Sequence, residues 1–260
     1  MLTVLEGLIW LIRFMFGACI FSFLNVVADR LPKKQSVVSG RSHCDSCGRN
    51  LGVADLVPCF SYIFLKGKCR TCGSRIPIRC LLTELLGGAS FVLSGICFGC
   101  GSFEILSLRA ASVFAFTGIL TVIALIDMDT QMIYDRFNLM ILILAIANIW
   151  LFPEHGIIDR LIGLVIVSVP MLVLSLLIPG AFGGGDIKLM AVSGFFLGMA
   201  ATVCGMFFGL VSGGCFALVM LKTNKLQKKD HFAFGPFLAV GLAIAAFWGD
   251  QIVAWYLRFF

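Results

Sequence analysis

A chain of 260 residues that is 60% hydrophobic and only 13% charged lies far from a soluble domain, for which about 25% charge is usual. Apolar runs near twenty residues recur along it, so it reads as a polytopic helical membrane protein; the alternating segments of about ten residues that mark a membrane β-barrel are absent. The net charge of +6 is no nucleic-acid signal by itself, and eleven cysteines, an odd number with several inside apolar runs, argue against a secreted disulfide framework.

The first span is expected over Leu5 to Val27. It lacks the positive start of a cleaved secretory signal, and basic residues follow it: Arg30, Lys33, Lys34, Arg41 and Arg49. By the positive-inside rule the N-terminus faces out and the next loop is cytoplasmic. That loop, about Asp29 to Arg79, holds ten of the twenty basic residues. It also holds Cys44-Asp-Ser-Cys47 and Cys69-Arg-Thr-Cys72, each followed by a glycine, Gly48 and Gly73. Two Cys-x-x-Cys knuckles 21 residues apart match a closed, structural four-thiolate zinc site, and a loop too short for a core gains most from such a staple. The alternatives are two disulfides, which a reducing cytoplasm disfavours, or free thiols. Cys59 and Cys80 read as small apolar residues.

Further spans are expected at about Leu81 to Cys97, with Glu84 one turn in, Ile105 to Ile126, Phe137 to Leu151 and Leu161 to Ile178. Glu84 is either a snorkelling or capped interfacial acid or a polar group facing the bundle or a cofactor pocket. The stretch Ile187 to Leu221 is too long for one crossing and is divided near Ala200–Val203. Gly194–Gly198, Gly205–Gly209 and Gly209–Gly213 within it have the small-xxx-small spacing that lets helix backbones touch. Lys222, Lys225, Lys228 and Lys229 form a basic loop, and a last span runs over Phe237 to Tyr256. Eight spans put both termini outside. Sixteen basic residues then fall on the cytoplasmic side and four, Arg13, Arg109, Arg160 and Arg258, do not.

This topology puts Asp127, Asp129, Asp135 and Asp186 on one side of the membrane. Asp186 stands in Phe182-Gly183-Gly184-Gly185-Asp186-Ile187-Lys188, between two apolar runs. A carboxylate at membrane depth is a functional hypothesis by default. Two paired carboxylates hydrolyse a peptide bond without metal or covalent nucleophile, one ionised to take a proton from water, the other protonated to donate to the carbonyl oxygen. The expected pair is Asp127 and Asp186, with Asp129 and Asp135 as solvated interfacial acids. The three histidines, 43, 155 and 231, show no zinc-protease spacing.

The glycine stretch reads as the Gly-x-Gly-Asp motif of intramembrane aspartyl proteases, with Gly183 and Gly185 supporting the acid. Over nearly its full length the chain resembles the bacterial type IV prepilin peptidases, the leader peptidase/N-methyltransferases. The resemblance rests on Gly17 to Pro32 (GACIFSFLNVVADRLP), the cysteine knuckles, Asp55-Leu56-Val57-Pro58, Thr83-Glu84-Leu85-Leu86, Asp127 with its following loop, and Phe234-Gly235-Pro236-Phe237. Tyr134 stands where the family usually has proline. The resemblance implies a multi-pass protein of the bacterial inner membrane that removes basic leaders from prepilins or pseudopilins on the cytoplasmic side. It also implies methylation of the new N-terminus with S-adenosylmethionine, for which the first loop and Glu84 are the expected site. The organisation expected is a first transmembrane helix (1–28), a cytoplasmic loop (29–80) and a transmembrane peptidase core (81–260). Rival readings are a transporter or channel with ion-binding aspartates and a membrane thiol-redox protein.

Overall fold

A computed structural model describes residues 2–99, 107–178, 180–223 and 233–259. Ile105, Cys100, Pro179, Lys225, Lys228, Lys229 and His231 lie outside the described residues. The described chain is helical: α1 (Leu2–Arg30), α2 (Phe60–Phe64), α3 (Ile78–Cys97), α4 (Leu108–Thr130), α5 (Asp135–Leu151), α6 (Ile157–Ile166), α7 (Ser168–Leu177), α8 (Gly184–Leu197), α9 (Met199–Lys222) and α10 (Gly235–Leu257). Among the described residues, six segments are long and apolar enough to cross a membrane: α1, α3, α4, α6 with α7, α9 and α10. The other two expected spans, α5 and α8, are helices of 17 and 14 residues. The chain divides into two compact units, Met1–Phe114 and Ala115–Phe260.

In the first unit α1 and α3 form an antiparallel hairpin. Glycines set the spacing: a Cβ on Gly17 would strike the Gly87 backbone, and one on Gly88 would strike the Phe14 ring. Without those atoms the backbones touch, which is how helices associate where lipid gives no hydrophobic drive. Phe91 packs edge-on against Phe114 at 4.9 Å, and Phe21 meets Phe114 at 5.5 Å. Towards the loop the seam turns polar. Ser22, Asn25 and Asp29 of α1 meet Glu84, Cys80 and Arg79 of α3 in antiparallel order.

In the second unit α10 packs along α9 through Gly205, Gly209 and Gly241, and α8 meets α6 where Gly194 faces Gly163. All three small-xxx-small pairs therefore contribute residues to helix contacts. Two boundaries differ from the sequence reading. The run expected as one span over Leu161 to Ile178 breaks at Val167, between α6 and α7. Pro170 explains the break, since it lacks an N–H and its ring crowds the carbonyl of residue 166. The long glycine-rich run divides at Gly198 rather than near Ala200–Val203, because Gly198 takes φ 86, an angle left to glycine.

Candidate active site and metal centre

Three segments of the second unit converge on Asp127. The residue lies in the last turn of α4, which runs on to Thr130 rather than ending at Ile126. It is buried, and its Oδ2 accepts the Gly235 N–H at 3.0 Å, 108 residues away in sequence. That N–H is at the start of α10, where unpaired amides and the helix dipole favour an anion. A Cβ at Gly235 would lie 2.6 Å from the same oxygen, so only glycine allows the contact. Phe234 packs its ring against Phe182 at 5.8 Å, which draws the glycine stretch to the same place. Ile133, in the loop after α4, fills the space over Gly185, where a Cβ would come within 2.9 Å.

Asp186 is the third residue of α8. Its Oδ2 accepts the Gly183 N–H at 3.3 Å, which ties the acid back to the residue before the helix start. The glycines play separate parts. Gly183 has an ordinary φ of −72 and leaves room for the Asp186 carboxylate; Gly185 leaves room for Ile133; a side chain on Gly184 would meet nothing within 4 Å. The open position beside the acid is therefore Gly184. Asp129 is exposed, and Asp135 forms a two-pronged ion pair with Lys188 at 2.8 and 3.0 Å. Tyr134 holds φ −77 and ψ 131, angles a proline would also adopt, and its ring carries the Arg136 guanidinium 5.0 Å away.

The four knuckle cysteines form a second centre, in the first unit. Their sulfurs all lie within 4.8 Å of one another, with Cys44 Sγ 3.8 Å from Cys72 Sγ. A tetrahedron with metal–sulfur arms of about 2.3 Å has edges of about 3.8 Å, so four thiolates here can hold one metal ion. The knuckles are built alike. Gly48 and Gly73 both take φ 69, and each donates its N–H to the carbonyl of the first cysteine, at 2.8 Å for Cys44 and 3.0 Å for Cys69. The Ser74 hydroxyl, 3.5 Å from Cys44 Sγ and 3.1 Å from Cys72 Sγ, leads the pull that lowers both thiols, Cys44 to about 6. At Cys47 the Arg49 amide pulls the same way, yet desolvation and the three neighbouring sulfurs hold the thiol up at about 11. Four crowded thiols cannot all ionise alone; a cation at their centre removes that conflict.

Glu84 is fully engaged within the protein. Oε1 accepts the Ser22 hydroxyl at 2.8 Å and Oε2 the Cys59 N–H at 2.6 Å. One turn away, Asn25 donates to Cys80 Sγ at 3.3 Å and leaves its buried amide oxygen without a partner. The sequence reading missed two residues. It quoted Gly235 only as part of a motif and gave it no role. It counted Arg160 only as a charge, whereas the side chain is fully buried and binds five backbone carbonyls: His155, Phe195, Phe196, Asn148 and Phe152. An arginine among apolar residues was the available signal for the second.

Comparison with known proteins agrees with this geometry. Residues 15–98 match the bacterial peptidase A24 N-terminal domain, and residues 114–218 match the type IV leader peptidase family. The chain is 32% identical to a prepilin leader peptidase/N-methyltransferase of Bacillus subtilis (strain 168), over 95% of this chain and 97% of that one. Proteins of the same description from Aeromonas salmonicida (strain A449) and Pseudomonas aeruginosa are 28% and 29% identical. These alignments cover 99% and 94% of this chain, and 98% and 91% of the relatives. No solved structure matches the chain. With two family domains in order and a relative this similar end to end, the chain belongs to the type IV leader peptidase family.

Proposed function

We propose that the chain is a membrane aspartyl endopeptidase that removes the basic leader of type IV prepilins or pseudopilins at the cytoplasmic face, and then N-methylates the new N-terminus. The observation that carries the first part is the meeting of Asp127, the Gly183–Asp186 stretch and the Gly235 amide at one end of the second unit. Asp127 and Asp186 are the catalytic pair. In this reading one of the two carboxylates is ionised and takes a proton from water, and the Gly235 N–H holds Asp127 in place. The other member of the pair holds the shared proton and gives it to the carbonyl oxygen as water adds to the carbonyl carbon. An extended substrate backbone, its amides freed from helix hydrogen bonds, has room beside Gly184. The substrate's basic leader would stay cytoplasmic while its apolar helix enters the bilayer, so the scissile bond falls at the membrane face.

Cys44, Cys47, Cys69 and Cys72 would hold a structural zinc in the loop 29–80, with the peptidase core in 81–260 and both termini outside. S-adenosylmethionine supplies the methyl group in this reading. The first loop and the Glu84 end of α3 would help form its site. The deciding experiment gives the purified protein a prepilin in liposomes, with a labelled methyl donor. Leader removal lost in both Asp127→Asn and Asp186→Asn supports the pair; normal cleavage by either rejects it. Methylation unaffected by Glu84→Ala, in protein that still cleaves, removes Glu84 from the donor site.

A further inference from the structure

The short helix α2 turns its apolar side chains away from the rest of its unit. Phe60, Ile63 and Phe64 are 46%, 63% and 81% exposed, and Val53, Leu56 and Val57 before them are exposed as well. Tyr62 points the other way, its hydroxyl 3.5 Å from the Ile76 carbonyl and its ring against Gly67. A polar loop built around four cysteines thus carries one contiguous apolar face, of a kind that marks an interaction surface.

The depth of that face is fixed. Cys59, the residue before α2, donates its N–H to Glu84 Oε2, and Ser22 of α1 holds the other oxygen. Cys59 sits at φ 62, a left-handed angle uncommon outside glycine, so the chain bends sharply at this bond. Glu84 lies inside the membrane-length helix α3, five residues below Arg79. Arg79 pairs with Asp29 of α1, and this ion pair marks the charged layer where the hairpin leaves the membrane. At about 1.5 Å per residue, Glu84 and the start of α2 lie about 7–8 Å beneath it. In-plane amphipathic helices sit at about that depth, about 5–10 Å into the boundary between headgroups and acyl chains.

We propose that α2 is an in-plane lipid anchor, with Phe60, Ile63 and Phe64 among acyl chains. The loop between α1 and α3 then lies on the bilayer instead of projecting from it. The ten basic residues of the same loop suit an anionic headgroup layer around that face. A soluble partner would need α2 lifted clear of the bilayer, and the Cys59–Glu84 bond ties it down. The proposal stands on the geometry of the first unit and is independent of the peptidase reading.

The test uses the full-length, metal-loaded protein in vesicles of phosphatidylcholine and phosphatidylglycerol. A benzophenone amino acid replaces Phe64 in one sample and Val38, which is 96% exposed in the same loop, in another. After illumination, lipid adducts by intact mass should be at least about fivefold more abundant at position 64, the partition expected of an apolar face at this depth. Equal lipid labelling at both positions, or protein adducts alone at 64, overturns the proposal. A second measurement needs no photoprobe. Phe64→Asp should raise amide hydrogen exchange over residues 57–66 by about tenfold, as the anchored segment opens locally, and leave that of α1 and α3 unchanged. Unchanged exchange over 57–66 also overturns it.

Discussion

At one end of the parallel pair α5 and α8, Asp127 and Asp186 each accept one backbone N–H. At the other end Arg160 alone serves five carbonyls. Two of them, Phe195 and Phe196, lie in the last turn of α8, and two more, Asn148 and Phe152, close α5, where they also accept the Phe152 and His155 N–H groups. Around Arg160 the bonding continues. Asp159 accepts the Met199 N–H at 3.2 Å and so caps α9, and His155 lies between Asp159 and Asp250 at 3.4 and 3.3 Å. The Arg160 end is saturated and the aspartate end is sparse. The difference separates holding from reacting: a carboxylate filled with donors is a poor base, and a sparse one keeps its place only if the helices beneath it are fixed.

The largest effect expected is at the sparse end. Asp127→Asn or Asp186→Asn removes a titrating group and keeps its size, and should lower leader cleavage by about 10³-fold, within the usual reach of acid–base groups. Asp129→Asn should cleave nearly as the parent does, because that acid is exposed. A mobility-shift assay in liposomes reads both, and a dead Asp129→Asn beside an active Asp127→Asn would show that the register of the pair is wrong.

Breaking the saturated end should act through stability instead. Arg160→Met removes five charge-assisted bonds to backbone carbonyls and should cost about 3 kcal/mol or more, seen as a lower Tm in detergent. The folded fraction should keep its turnover number. A normal Tm with lost turnover would assign Arg160 to the chemistry.

Gly235→Ala tests the link between α10 and Asp127. Its Cβ would lie 2.6 Å from Asp127 Oδ2, so the carboxylate must shift and lose its N–H. A charged hydrogen bond of about 1.5–3 kcal/mol corresponds to about 10- to 100-fold in rate. Gly184→Ala meets no protein atom within 4 Å and should keep the parent Tm, so any loss of cleavage there reports crowding of the substrate and not of Asp127.

Removing the metal should open the cysteine loop first and leave the helices of the second unit intact. Limited proteolysis should then cut within 44–72 in Cys44→Ser or chelator-treated protein. Full protection of the loop without metal would refute the staple.

The smallest effect is at His155. Its bond to Asp250 leads the causes that raise its folded value above the ordinary 6.5, against partial desolvation. The stability it contributes is fully present below pH 6.5 and fades as pH rises through the raised folded value. His155→Gln should lower Tm at pH 5.5 and matter less at pH 9. A Tm difference that grows with pH would reverse the assignment.

Much of this was legible from residue order. Apolar run length gave six of the eight expected spans as membrane-length helices, because a bilayer demands about twenty residues per helix; α5 and α8 are shorter. Cysteine spacing pointed to a metal knuckle, because tight turns place two sulfurs locally and the Gly48 and Gly73 positions permit them. The motifs and apolar runs together pointed to the type IV leader peptidase family. Contacts across the chain were not legible. The Gly235 amide reaches Asp127 over 108 residues, and no local pattern encodes which helix start will face which carboxylate. Arg160 looked like one more charge until five carbonyls were seen around it, and only the packing showed that Ser22 and Cys59 are the partners of Glu84. Periodicity and spacing act through the chain's own short-range geometry, so the sequence carries them outright. Which polar groups find each other depends on how the helices pack, and only the tertiary structure decides that.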